Sequence, residues 1–309
     1  MDAHPAPSEA APAPGASPVP PKADGVHALR VVLGVSILVL AIGLLAVDEI
    51  TDRPFAFILL TVLAGTFALH EFLGMLPADR VAPFRALALL AGAMVLAASW
   101  ADTFAKPAAS FGREAALAGA FFLLLWRASR MPLERETLEG LALAFFGVFL
   151  LGYLVGFLIR IRLCPEGETA CWMIIACVKG GDSAAYFAGT LFGRHRMTPR
   201  VSPKKTWEGA AGCVLGGMLL AVPFAIFWGW GKAHPIDTLA LGAILGAAGQ
   251  AGDLAESFLK RCLRVKDSGS LFGEAGGFLD LIDSLLVAAP AAYLYLALSP
   301  VAWDWTWKI

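Results

Sequence analysis

Runs of about 20 mostly apolar residues recur along this chain and restrict its fold more than any other feature. A helix of that length crosses a hydrocarbon core of roughly 30 Å, and in lipid only helices and closed barrels satisfy their own backbone hydrogen bonds. Nine runs can be read, at roughly Leu29–Val47, Phe55–Leu76, Phe84–Trp100, Ala115–Trp126, Leu138–Ile159, Ala170–Phe192, Gly209–Trp230, Leu239–Leu259 and Gly277–Leu298. The fourth is short, and the eighth turns polar in its final turns, so only its first part need face lipid. Of the 309 residues, 58% are hydrophobic and 16% charged, whereas a soluble domain is about half apolar and about a quarter charged. The sequence therefore predicts an all-α, polytopic integral membrane protein with about nine transmembrane helices.

Residues 1–27 are rich in Ala and Pro without apolar periodicity, and such a segment is expected to stay disordered. It lacks the basic start and short apolar core of a secretory signal, so the first run is expected to remain as an anchor. With the N-terminus cytoplasmic, the inner loops carry 14 Lys and Arg residues and the outer loops 6, the bias that sets membrane orientation. A net charge of −1 gives no global field to recruit nucleic acid, and no nucleic-acid partner is expected. The five cysteines form no CxxC pair; Cys164 and Cys171 are near enough to meet in one exterior loop, but the reading preferred for all five is buried unpaired thiols. Residues 28–165 read as a transmembrane scaffold, lipid-facing wall or homodimer surface, and residues 166–309 as the working, C-terminal transmembrane region.

That division follows the ionisable residues. The first five runs carry few beyond His70 and Glu71, whereas from Lys179 onward charges enter the spans themselves. Lys179 and Asp182, in K-G-G-D-S-A-A-Y, share one helical face near mid-membrane, with Tyr186 one turn below. A charge at that depth costs at least a few kcal/mol and faces a partner or a water-filled cavity. Either the two neutralise each other or they belong to a polar site. Gly180 and Gly181, which permit close approach of a backbone or ligand, favour the site. The next inner loop, GRHRMTPRVSPKKTWEG, places five cations around Ser202 and Thr206, either of which is suited to cap the following helix. A helix N-terminus in turn offers free N–H groups to an anion. His195 reads as an ordinary loop histidine.

The run from Ser257 to Ser284 concentrates the remaining signal. Asp253, Ser257 and Lys260 fall on one helical face, while Glu256 reads as an i,i+4 partner of Lys260. Lys260, Arg261, Arg264 and Lys266 lead to Asp267, then to Gly276–Gly277, and then to Asp280 and Asp283, three apart in the first two turns of the last helix. Cations suit phosphate oxygens. Neighbouring carboxylates repel unless a cation lies between them, and Mg²⁺ prefers oxygen ligands. Together these residues point to phosphate chemistry on a lipid at the membrane surface.

The sequence GDLAESFLKR–CLRVKDSGSLFGEAGG–FLDLIDS resembles the signature of the phosphatidate cytidylyltransferase (CDP-diacylglycerol synthase) family. That signature is Ser-x-x-Lys-Arg, then Lys-Asp, then Gly-Gly and paired aspartates, matched here by Ser257, Lys260, Arg261, Lys266, Asp267, Gly276, Gly277, Asp280 and Asp283. GDSAAYFAGTLFGRHR and SPKKTWEG resemble two further family motifs, so the resemblance covers about residues 165–300. Ala275 stands where the family usually has a His, and Leu281 where it usually has an Arg.

The resemblance implies that CTP and phosphatidate become CDP-diacylglycerol and pyrophosphate, among the membrane lipids of a bacterial-type inner membrane and at its cytoplasmic face. It implies catalytic roles for Asp280, Asp283, Asp253, Lys266 and Asp267, with Mg²⁺, and a second cation beside it, held by Asp280 and Asp283 together with Asp253 or Asp182. Substrate contacts are expected from Lys204, Lys205, Ser202, Ser257, Lys260, Arg261, Gly276 and Gly277. Two alternatives stay open: CTP-dependent transfer to another lipid acceptor, and a non-catalytic lipid-binding or transport protein with a midplane ion site at Lys179 and Asp182.

Overall fold

The structure, a computed structural model, describes residues 48, 51, 53–101, 111–164, 166–227, 235–265, 268–269 and 277–298. Every apolar run from the second onward forms a helix; the first run and the 1–27 tail lie outside the described residues. In chain order the helices are α1 (Phe55–Met75), α2 (Ala78–Ala101), α3 (Gly112–Ala128), α4 (Arg135–Gly147), α5 (Gly156–Arg162), α6 (Gly167–Phe192), α7 (Trp207–Phe227), α8 (Pro235–Cys262), α9 (Phe278–Ile282) and α10 (Leu285–Leu298). A π-helical segment, Val148–Leu154, joins α4 to α5 in one continuous rod. Among the described residues, five helices are long and apolar enough to cross a membrane: Phe55–Met75, Ala78–Ala101, Arg135–Arg162, Trp207–Phe227 and Phe278–Leu298. The other three differ in kind: α3 has only 17 residues, and α6 and α8 carry acidic and basic side chains along their length.

Local chemistry sets the ends. Asp48 accepts the backbone N–H groups of Ala56 and Phe57 at 2.7 and 2.8 Å, satisfying donors that the first turn of α1 leaves open. Leu76, held extended at ψ 157° before Pro77, stops that helix. Arg264 adopts a left-handed φ of 57° after α8, and the N–H of Val265 bonds back to the Lys260 carbonyl at 3.0 Å. That stop turns the chain back toward α9.

One departure from the all-α expectation is a hairpin between α6 and α7. Strand β1 (Arg196–Thr198) pairs antiparallel with β2 (Ser202–Thr206), Thr198 opposite Ser202. Pro199 and Pro203 deny this stretch a helical hydrogen-bond ladder. Thr206 then caps α7, its Oγ1 accepting the Gly209 N–H at 3.1 Å. Of the two capping candidates in the sequence, Thr206 takes the role.

Two large apolar cores result, beside a small third cluster of Phe157, Leu158 and Ala289. One joins α1 to α5 with Leu279, Ile282 and Leu286 of the last helices, and the other joins α5, α6, α7, α8 and α10. The α9–α10 pair belongs to both. Within the second core α6 and α7 approach so closely that a Cβ on Gly181 would lie 3.1 Å from the Cys213 carbonyl. The close backbone approach expected of the paired glycines is therefore made by α7.

Candidate active site

A cavity of about 530 Å³ opens between α6, the hairpin, α7 and α8, a volume within the range of small-molecule sites. Asp182, Gln250 and Asp253 line its helical walls, and Arg196, Lys204 and Lys205 come from the hairpin. The hairpin thus hangs cations over a pocket whose helices supply carboxylates. It is anchored from the far side by Arg261, whose Nε donates to the Val201 carbonyl at 3.2 Å. His195, which is exposed, lies 2.6 Å from Glu208 at the start of α7.

Beside this cavity three carboxylates converge. Oxygens of Asp253, Glu256 and Asp283 all lie within 4.8 Å of one another, and Glu256 and Asp283 are buried. Three lysines from three elements reach this group: Lys205 comes within 2.6 Å of Asp253, Lys260 within 2.8 Å of Glu256, and Lys179 within 3.6 Å of Asp283. Ser284 ties the wall together, its hydroxyl 2.8 Å from Asp283 and 3.3 Å from Asp182. Lys179 and Asp182 therefore join a larger network rather than simply neutralising each other. With Asp182 and Asp280 included, five carboxylates share three lysines among the described residues. Carboxylates this close together are relieved by protonation or by a further cation, and hard carboxylate oxygens are the donor set of a hard divalent ion. These residues fit a metal ion.

Asp280 is held differently. Its Oδ1 takes Lys260 at 2.5 Å, and its Oδ2 takes the Ser268 hydroxyl at 2.5 Å and the Gly277 N–H at 2.8 Å. The carboxylate thus caps the start of α9 from position N3 by accepting the Gly277 N–H. Asp283, one turn on, faces the carboxylate cluster. Lys260 links the two arrangements, since it contacts both Glu256 and Asp280. Ser257 bonds Asp253 at 3.4 Å within α8.

The structure thus brings together Asp182, Asp253, Asp283, Lys205 and Lys260, with Lys204 at the cavity rim. Ser202 lies in β2, Arg261 on the hairpin's outer side and Gly277 at the start of α9. Lys266, Asp267, Gly276 and the Ala275 position lie outside the described residues. Two participants were not apparent from sequence. Glu256 forms the expected pair with Lys260 but also joins the carboxylate cluster; its i+3 spacing from Asp253 was the available signal. Glu71 accepts the Leu279 N–H at 3.0 Å from across the helix interface, which no local pattern encodes.

The profile of the cytidylyltransferase family matches residues 28–299. The chain belongs to this family. A curated relative from Brucella suis biovar 1, named phosphatidate cytidylyltransferase, is 44% identical over 138 residues, covering 43% of this chain and 49% of that protein. A namesake from Mycobacterium bovis is 41% identical over 135 residues, covering 44% and 43%. The match therefore spans about half the length of these relatives. A third, from Mycobacterium leprae, is 30% identical over 271 residues, covering 84% of this chain and 86% of that one. Membership of the cytidylyltransferase family accords with lysines and carboxylates facing one cavity.

Proposed function

We propose that this chain is a phosphatidate cytidylyltransferase, converting CTP and phosphatidate to CDP-diacylglycerol and pyrophosphate. The observation that carries this is the meeting of the Lys204–Lys205 rim with the Asp253–Glu256–Asp283 cluster at one cavity, in a chain of this family. A phosphate oxygen of phosphatidate attacks the α-phosphorus of CTP; as that P–O bond forms, the bond to the bridging oxygen of the β-phosphate breaks and pyrophosphate leaves. Such transfers depend on positioning and charge neutralisation, and the substrate supplies the nucleophile.

Lys204, Lys205, Lys260 and Arg261 are the cations assigned to phosphate oxygens, with the Ser202 and Ser257 hydroxyls and the Gly276–Gly277 backbone as donors. Asp253, Glu256 and Asp283, with Asp182 beside them, are assigned to Mg²⁺ and a second cation. When bound, Mg²⁺ offsets the charge on the phosphate oxygens. Asp280 acts through Lys260, fixing its ammonium between the acidic cluster and the start of α9. Lys266 is assigned a phosphate contact and Asp267 its orientation.

The nine-span topology with a cytoplasmic N-terminus and a site at the cytoplasmic face of an inner membrane is part of the same proposal. It is supported by the 14 to 6 division of Lys and Arg between loops. A homodimer through the N-terminal half fits the outward apolar stripe of Phe55, Leu59 and Leu63 on α1.

The test is an assay of purified protein in detergent with radiolabelled CTP, phosphatidate and Mg²⁺. Labelled CDP-diacylglycerol is expected, and its loss in D253N and D283N. Transfer to another lipid acceptor with phosphatidate inert would replace the acceptor assignment, and no nucleotide consumption with any lipid would end the enzymatic reading.

A further inference from the structure

The N-terminal half reads as scaffold, yet it places one carboxylate directly against the signature loop. Glu71, near the end of α1, lies against the start of α9. Its Oε2 accepts the Leu279 N–H at 3.0 Å and lies 3.4 Å from the Ser268 hydroxyl. That hydroxyl has a single proton, which goes to Asp280 at 2.5 Å, so Ser268 seats Glu71 and Asp280 side by side. One turn earlier on α1, Phe67 stacks on Phe278 with ring centroids 5.1 Å apart and planes 14° from parallel. An apolar contact and a carboxylate on the same helix face thus set both the depth and the direction of α9.

The glycines of the loop fit this contact. A Cβ on Gly269 would lie 2.6 Å from Glu71 Oε1, and one on Gly277 would overlap the same carboxylate. Gly277 has an ordinary extended backbone, φ −112° and ψ −169°. A Cβ there would push the Glu71 carboxylate off the Leu279 N–H, whereas the backbone conformation itself would accept any residue. This gives the second glycine of the Gly-Gly pair a physical purpose.

We infer that Glu71 is a positioning residue for the reaction proposed above: it fixes the first turn of α9 and thereby the direction in which Asp283 enters the carboxylate cluster. The inference rests on that functional reading only for its consequence on turnover. Residues that orient ligand-bearing groups typically change activity or metal affinity by about 10–100-fold when removed.

The experiment uses the full chain in detergent and measures kcat, KM for CTP, and the Mg²⁺ concentration that half-saturates a thermal shift without substrate. E71A is expected to lower kcat by at least about tenfold and raise the half-saturating Mg²⁺ several-fold, with KM for CTP changed by less than about threefold. E71Q, whose amide oxygen still accepts the Leu279 N–H, is expected to recover most of the loss. G277A should reproduce the E71A defect, and adding G277A to E71A should cost less than about a further twofold, because both act through one contact. Kinetics of E71A within twofold of the parent, or independent additive losses in the double variant, would overturn the inference. If E71A does not fold, E71D decides, since it keeps the charge and shortens the reach; lost turnover at an unchanged melting temperature supports the inference, and parental turnover overturns it. A parent chain inactive with CTP and phosphatidate would sink the functional reading, while the Mg²⁺ shift of E71A against the parent would still test Glu71.

Discussion

Lys205 and Asp253 meet at 2.6 Å across the boundary between the β-hairpin and α8. The hairpin therefore has a charge contact of its own with the acidic wall, and Lys205, with 16% of its side chain exposed, is positioned before any phosphate arrives. Replacing it with Ala or Met removes a charge-assisted partner for phosphate. Such bonds contribute about 2 kcal/mol, so KM for CTP is expected to rise roughly 30-fold, with a smaller change in kcat. Steady-state kinetics at varied CTP decide this, and an unchanged KM would take Lys205 out of the phosphate site.

Asp280 and Asp283 are expected to respond differently to the same substitution. D283N leaves the Asp280 cap on α9 intact and is expected to abolish turnover with little change in melting temperature. D280N breaks the Lys260 pair and weakens the cap on α9, which at a largely buried site costs about 3 kcal/mol. It should lower the melting temperature as well as activity. Equal melting temperatures for the two variants would contradict the division of labour.

Chelation provides a third check. Five carboxylates sharing three lysines are expected to be destabilised when a bound divalent ion is withdrawn. EDTA should lower the melting temperature and Mg²⁺ restore it, because a ligand of the folded state stabilises it by mass action. D253N and D283N should lose most of that Mg²⁺-dependent shift. A parent chain insensitive to both EDTA and Mg²⁺ would exclude the metal assignment.

Thiol chemistry tests both packing and orientation. Among the five cysteines Cys262 is exposed and the other four are buried. Burial also pushes the Cys164 thiol up to about 12, so at pH 8 its reactive thiolate is only about one part in 10⁴. A maleimide should therefore label one site, removed by C262A. In the proposed orientation a membrane-impermeant reagent should reach Cys262 in inverted vesicles and not in spheroplasts. The reverse pattern would invert the topology.

The helices were legible because apolar runs of membrane-spanning length leave the backbone few alternatives, and eight of the nine runs coincide with helices among the described residues. The carboxylates Asp182, Asp253 and Asp283 were legible for a related reason: charges in apolar helices are costly enough to draw notice. Glu256 was harder, because an i,i+4 lysine offers a sufficient local account of it. Glu71 was harder still. Its partners, Ser268 and Leu279, are 197 and 208 residues away in sequence, and periodicity carries no information at that range. The hairpin was hidden by the opposite problem, since a short basic loop with two prolines has no pattern strong enough to fix strand register.

The interruption between α9 and α10 has a consequence for how the chain is made. Lys179, Lys205 and Lys260 all precede Asp280 and Asp283 in the sequence, so during synthesis each lysine exists before the aspartates at the end of the chain. The last span, bearing two acids and a broken helix, would be a poor substrate for insertion alone. It enters a membrane that already contains its counter-charges. A ribosome halted before residue 277 would leave these three lysines facing Asp182, Asp253 and Glu256, three charges against three, and the final helix brings the two further acids that give the site its excess of negative charge.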